Sequence, residues 1–140
     1  MKAIKIITHP LLLISSFCLI IISGEHWGGF YLLYLLMALP HFGIHALLGV
    51  AGIILLLFSL YNFERRYKEI LTGICKVSGV ACLIFSVVFF FCADKKGYIT
   101  GTFEQVIPLI SVIIFAVLSL IFIVDYMAGV FSSTYSLRKA

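Results

Sequence analysis

His41 and His45 stand four residues apart in an uncharged apolar run, a spacing that puts two imidazoles on one face of a helix. Such a pair can share a metal ion or a haem, pass a proton, or hydrogen-bond across a helix seam. A metal or haem site needs more ligands, and neither His9 nor His26 is level with the pair, so no cofactor is assigned. The expected role is structural: neutral imidazoles hydrogen-bonded to a neighbouring helix, for example to Ser86. Lys76 and Asp125 are the next candidates. Each lies inside an apolar segment, where an ionisable group is costly unless paired; the two readings are an ion pair between them and two side chains that snorkel independently to the membrane surface. The third concentration is Glu25-His26-Trp27. A carboxylate beside an imidazole can do acid–base work, but no nucleophile or further ligand accompanies it, so a turn anchored by Trp27 is the expected reading. No catalytic residue is assigned.

The elements that must carry these residues are membrane spans. The chain has 140 residues, of which 63% are hydrophobic and 11% charged, and its mean hydropathy is +1.19. Soluble domains run at about 45–50% apolar and about 25% charged, and one of this size has too little interior to hide the excess. The lipid bilayer is therefore the expected solvent. The net charge of +4 comes from basic residues at the ends of apolar runs: Lys2, Lys5, Arg65, Arg66, Lys68, Arg138 and Lys139. That is the pattern of headgroup contact, not of a nucleic-acid surface. Cys18, Cys75, Cys82 and Cys92 form no C-x-x-C pair and read as small hydrophobes.

The expected fold is all-α: a single integral-membrane four-helix bundle with spans near 4–23, 30–61, 70–92 and 103–126. The first span is expected to bend at Pro10. The second is 32 residues long, about 48 Å of helix against a hydrocarbon core of about 30 Å. A long helix kinked near Pro40 resolves the excess; the alternative is a separate interfacial or re-entrant piece over 30–39. Trp27, Phe30, Tyr31 and Tyr34 read as an interfacial aromatic belt. Thr102 followed by Gln105 reads as a capping box that opens the fourth span, and 129–140 reads as a polar tail. With the N-terminus cytoplasmic, the seven basic residues named above lie inside and only Lys95 and Lys96 outside. Both termini are therefore expected in the cytoplasm of a multi-pass protein of the bacterial inner (plasma) membrane.

Small residues recur at helical spacing on the second and third spans: Gly49 and Gly52 on one, Cys75, Gly79, Cys82 and Ser86 on the other. Antiparallel packing brings Gly52 level with Gly79, Gly49 opposite Cys82 and His45 near Ser86, a seam along which the backbones can approach closely.

The run Ile22–His45, with its glycine–aromatic turn and Pro-His step, resembles small uncharacterised bacterial membrane proteins associated with exosortase-type sorting systems. The resemblance implies an accessory protein; no catalytic residue carries over, because an exosortase needs cysteine, arginine and histidine together and no intramembrane arginine exists here. The leading functional expectation is a non-enzymatic accessory or scaffold subunit of a bacterial membrane complex, with a membrane-protein partner or a homo-oligomer. The alternatives are a small oligomeric transporter or channel using His41 and His45, and a metal- or haem-binding membrane protein.

Overall fold

The structure is a computed structural model that describes residues 8–23, 28–60, 68–93 and 101–137, the side chains of 68–70, 101 and 130–137 excepted. Pro10 opens the first described helix, α1 (Pro10–Cys18); its fixed φ suits the first turn, and the His9 ring accepts from the Leu11 N–H at 3.3 Å. The stretch 4–7, expected to precede a bend at Pro10, lies outside the described residues. Nine residues of helix rise only about 14 Å, too little for a span of about 30 Å. The β-branched run Ile20–Ile22 then takes an extended course. Strand β1 (Ile21–Ser23) pairs antiparallel with β2 (Gly28–Phe30), Ile22 opposite Gly29. Over its described part, residues 8–23, the span expected at 4–23 is thus a helix followed by a strand of a hairpin, and the fold is not purely α-helical.

The segment expected as one long kinked helix is two. Helix α2 (Tyr31–Ala38) ends in a 3-10 turn at Leu39–His41, and α3 (Ile44–Phe58) leaves at an angle of 114° to it. The break falls at Pro40–Gly43, as the sequence suggests, but it is a reversal of course and not a kink. The Gly43 N–H bonds to the Ala38 carbonyl at 3.1 Å and the Phe42 N–H to the Leu39 carbonyl at 3.0 Å, the paired bonds of a Schellman stop. Its left-handed position, φ 52° and ψ 37°, is held by Phe42, where glycine is usual. A phenylalanine there carries about 1–2 kcal/mol of steric cost, and its ring is 78% exposed, so little packing offsets it. Phe42→Gly is therefore expected to stabilise the folded protein by about 1 kcal/mol, read as a higher midpoint in denaturant titration in mild detergent.

Helix α4 (Lys68–Cys92) matches the expected third span within two residues. A short helix, α5 (Gly101–Glu104), turns at Gln105 into α6 (Val106–Leu137). The helix continues well past Gly129, where a polar tail was expected. Two helices, α4 over Leu71–Cys92 and α6 over Val106–Gly129, are long and apolar enough to cross a membrane; the bent pair α2–α3 meets that test only jointly.

Helices α3 and α4 approach each other closely. A Cβ added at Gly52 would lie 2.6 Å from Leu83 Cδ2 and 2.9 Å from the Gly79 carbonyl oxygen. One added at Gly79 would lie 3.2 Å from the Gly52 carbonyl and 2.9 Å from Leu56 Cγ. The expected glycine seam is present, and only hydrogen fits on either side of it. Gly49 faces Leu35 and Ser86, not Cys82. Helix α6 runs antiparallel to α4: the Tyr126 hydroxyl presses on Gly73 at one end, and the rings of Phe91 and Phe103 lie 4.7 Å apart at the other. Helix α1 lies against both α3 and α6, with Phe17 between Tyr31 and Phe115.

Candidate functional site

Two buried hydroxyls, those of Tyr31 and Ser86, meet where α2 reaches α4. Tyr31 opens α2 with its side chain fully buried, ringed edge-on by Phe17 at 5.2 Å and Phe90 at 5.0 Å. It belongs to the core and not to an interfacial belt. Its hydroxyl reaches α4, 2.9 Å from Ser86 Oγ and 3.0 Å from the Ser86 carbonyl oxygen. Ser86 Oγ in turn donates to the main-chain carbonyl of His45 at 2.6 Å. One buried hydroxyl thus ties together α2, α3 and α4. The expected closeness of His45 and Ser86 is present, but through the backbone and not through the imidazole.

The two histidines do not share a helical face, because the helix stops between them. His41 ends the 3-10 turn and is exposed; His45 sits in the first turn of α3, half-buried. The His45 ring packs edge-on against Phe90, centroids 5.3 Å apart. Among the described residues no three His, Cys, Asp or Glu side chains come together as a metal site would require. Glu25 and His26 lie outside the described residues.

The second polar cluster seals the hairpin. Main-chain groups of a strand edge need partners when lipid is the solvent, and β1 finds them on α5 and α6. Ser111 Oγ accepts from the Ile21 N–H at 2.9 Å. Thr102 Oγ1 accepts from the Ser23 N–H at 3.0 Å and donates to the Ser23 carbonyl at 3.1 Å. Two hydroxyls thus act as a third strand. This replaces the capping box expected of Thr102 and Gln105. Thr102 is fully buried, so Thr102→Val strands both Ser23 groups in a site of almost the same shape. The expected loss is about 2 kcal/mol, with Thr102→Ser close to wild type; protection of the Ser23 amide from hydrogen exchange reports the same contact.

Lys76 is half-buried on α4 and Asp125 is exposed on α6. No ion pair joins them among the described residues. Tyr126 takes the position facing α4, and the neighbouring residue on a helix points about 100° away. Ser111 is not marked by the sequence, and Tyr31 and Thr102 hold roles other than the belt and the capping box expected of them. Their one signal was the Ile20–Ile22 run followed by Gly28-Gly29, a hairpin pattern that an apolar context disguised.

Site and fold together define a small, mostly helical protein with two helices long and apolar enough to cross a membrane, in which the hydroxyls of Tyr31, Ser86, Thr102 and Ser111 tie segments together. Compared with known proteins, the chain matches no family model, no curated protein and no solved structure.

Proposed function

We propose that the chain is a non-enzymatic accessory or scaffold subunit of a bacterial membrane complex. The observation that carries this reading is the direction of the Ser86 proton. Among the described residues Ser86, Tyr31 and His45 are the nearest approach to a catalytic set, yet Ser86 Oγ donates to a main-chain carbonyl at 2.6 Å. A serine nucleophile needs a base within reach of its proton; here that proton is held by the fold. The open face of α6 supports the same reading: 22% of its span is buried within the chain, against 39% for α4. The partner proposed is a membrane protein of an exosortase-type system, in the inner membrane, with both termini of this chain cytoplasmic. Purification from the native membrane in mild detergent tests it: a second membrane protein should follow in fixed ratio. Isolation of the chain alone at native abundance would overturn the reading.

A second reading, a small oligomeric transporter or channel, draws on the bent pair α2–α3. Transporters place binding sites at interrupted helices, and His41 and His45 flank this interruption. Flux in liposomes that is lost on His45→Ala would favour it over the scaffold.

A further inference from the structure

The reversal between α2 and α3 makes an apex at which Pro40, His41 and Phe42 are exposed. Phe42 holds there the left-handed backbone position, φ 52°, that a glycine would take without steric cost, and its ring is 78% exposed. Little packing within the chain offsets that cost, and a strained residue kept in this way points to a use outside the fold. The ring has apolar company. Ile44 is exposed beside it, and the face of α2 opposite the buried Tyr31 and Leu35 presents Leu33, Leu36 and Met37. No Asp, Glu, Lys or Arg occurs between Glu25 and Glu64, so this patch lacks the charged rim of a surface that docks proteins in water.

The depth of the apex follows from α4. Helices α3 and α4 run antiparallel, with the His45 carbonyl 2.6 Å from Ser86 Oγ. Ser86 lies six residues, about 9 Å, inside Cys92, where the apolar stretch of α4 ends. Phe42 precedes His45 by three residues and so stands about 5 Å inside that end, near the boundary of acyl chains and headgroups. The main chain agrees. The Ile44 and His45 N–H groups, in the first turn of α3, have no acceptor among the described residues. Hydrocarbon alone would leave them bare, so water or headgroup oxygens must be within their reach.

We propose that the apex is an anchor in the interface of the leaflet at the hairpin end, with the lipid surface itself as its partner. The Phe42 ring, with Met37 and Ile44, is held among the acyl chains, while His41 and the free amides of α3 stay at the headgroups. Such an anchor answers a problem of length. Helix α3 has 15 residues, about 22 Å of rise, and cannot by itself fix its depth in a hydrocarbon core of about 30 Å. The apex sets that depth, whether or not the chain also holds a protein partner.

The full-length protein in lipid nanodiscs, which leave both faces open to reagents, tests it. In a background without native cysteines, His41→Cys is labelled with a membrane-impermeant maleimide. Adding Phe42→Gly should raise the labelling rate about tenfold, as loss of one lipid-buried aromatic ring allows, whereas Phe42→Leu should leave it nearly unchanged. Phe42→Gly is the variant expected to be more stable, so a faster reaction is not unfolding, and circular dichroism verifies this. Separately, Phe42→Trp in a Trp27→Phe background should be quenched more by lipids brominated near the headgroup than by lipids brominated near the chain end, and little by aqueous iodide. Met37→Trp repeats the measurement where Phe42→Trp does not fold. An unchanged labelling rate in Phe42→Gly overturns the proposal. So does quenching by iodide and not by bromine, which puts the ring in water. Loss of bromine quenching when each disc holds two copies also overturns it, marking the apex as a contact between protein chains.

Discussion

Replacing Gly52 with leucine is expected to cost about 3 kcal/mol of folded-state stability in mild detergent, the upper end for an overpacked site. The magnitude follows from what the new side chain meets. Its Cβ alone would stand 2.6 Å from Leu83 Cδ2 and 2.9 Å from the Gly79 carbonyl. Leu83 can rotate away, but the carbonyl is fixed in α4, so the helices must part. Between lipid-embedded helices, parting forfeits the dispersion contacts that hold them, and no hydrophobic gain compensates. Gly52→Ala should cost about 1 kcal/mol, since a single methyl displaces the same atoms less. Denaturant titration of the purified protein, followed by circular dichroism, measures both. In a background without native cysteines, Gly52→Cys with Gly79→Cys should cross-link quickly. Ile54→Cys with Gly79→Cys should not, because Ile54 lies on an exposed face of α3. Wild-type stability of Gly52→Leu would refute the seam.

The second large effect belongs to Ser86. Ser86→Ala removes one hydroxyl from a buried network: the His45 carbonyl loses its side-chain donor, and the Tyr31 phenol loses its Oγ contact and keeps its 3.0 Å bond to the Ser86 carbonyl. A loss of about 2 kcal/mol is expected, set by desolvation of what remains more than by the bonds removed. Tyr31→Phe should cost about 1 kcal/mol, since Ser86 keeps its bond to His45. The double variant should lose less than the sum, because the two hydroxyls share one network. Strict additivity would show that they act separately.

Much of this architecture can be read from local pattern, and the exceptions share one cause. Helix α4 is legible because twenty-odd apolar residues between polar loops have no other use in a membrane. The Gly52–Gly79 contact is legible because small residues repeat at helical spacing on both partners, so matching their depths needs no structure. The break near Pro40 is legible in place but not in size: Pro40 and Gly43 announce an interruption, whereas the left-handed Phe42 that turns it through 114° carries no sequence mark. The hairpin is illegible for a deeper reason. Ile20–Ser23 is apolar enough to pass as the end of a span, and what draws it out of the helix is far away in the chain: Thr102 and Ser111, 79 and 90 residues on. The same holds for the charged pair. Their types and depths suggested a bond, and only the neighbouring Tyr126, seated on Gly73, shows which way Asp125 must turn.

The distance between β1 and its hydroxyl partners also sets an order of events during synthesis. Strand β1 is translated 79 residues before Thr102 and 90 before Ser111. At about 5–20 residues per second, roughly 4–18 s pass before the groups that complete its edge exist. During that interval the Ile21 and Ser23 amides must stay in water, in the translocation channel or against an insertion factor, since bare lipid offers them nothing. Strand β1 is therefore made early and completed late, once α5 and the start of α6 have been made. A ribosome stalled before Ser111 should hold a chain whose amino-terminal segment is still open to protease.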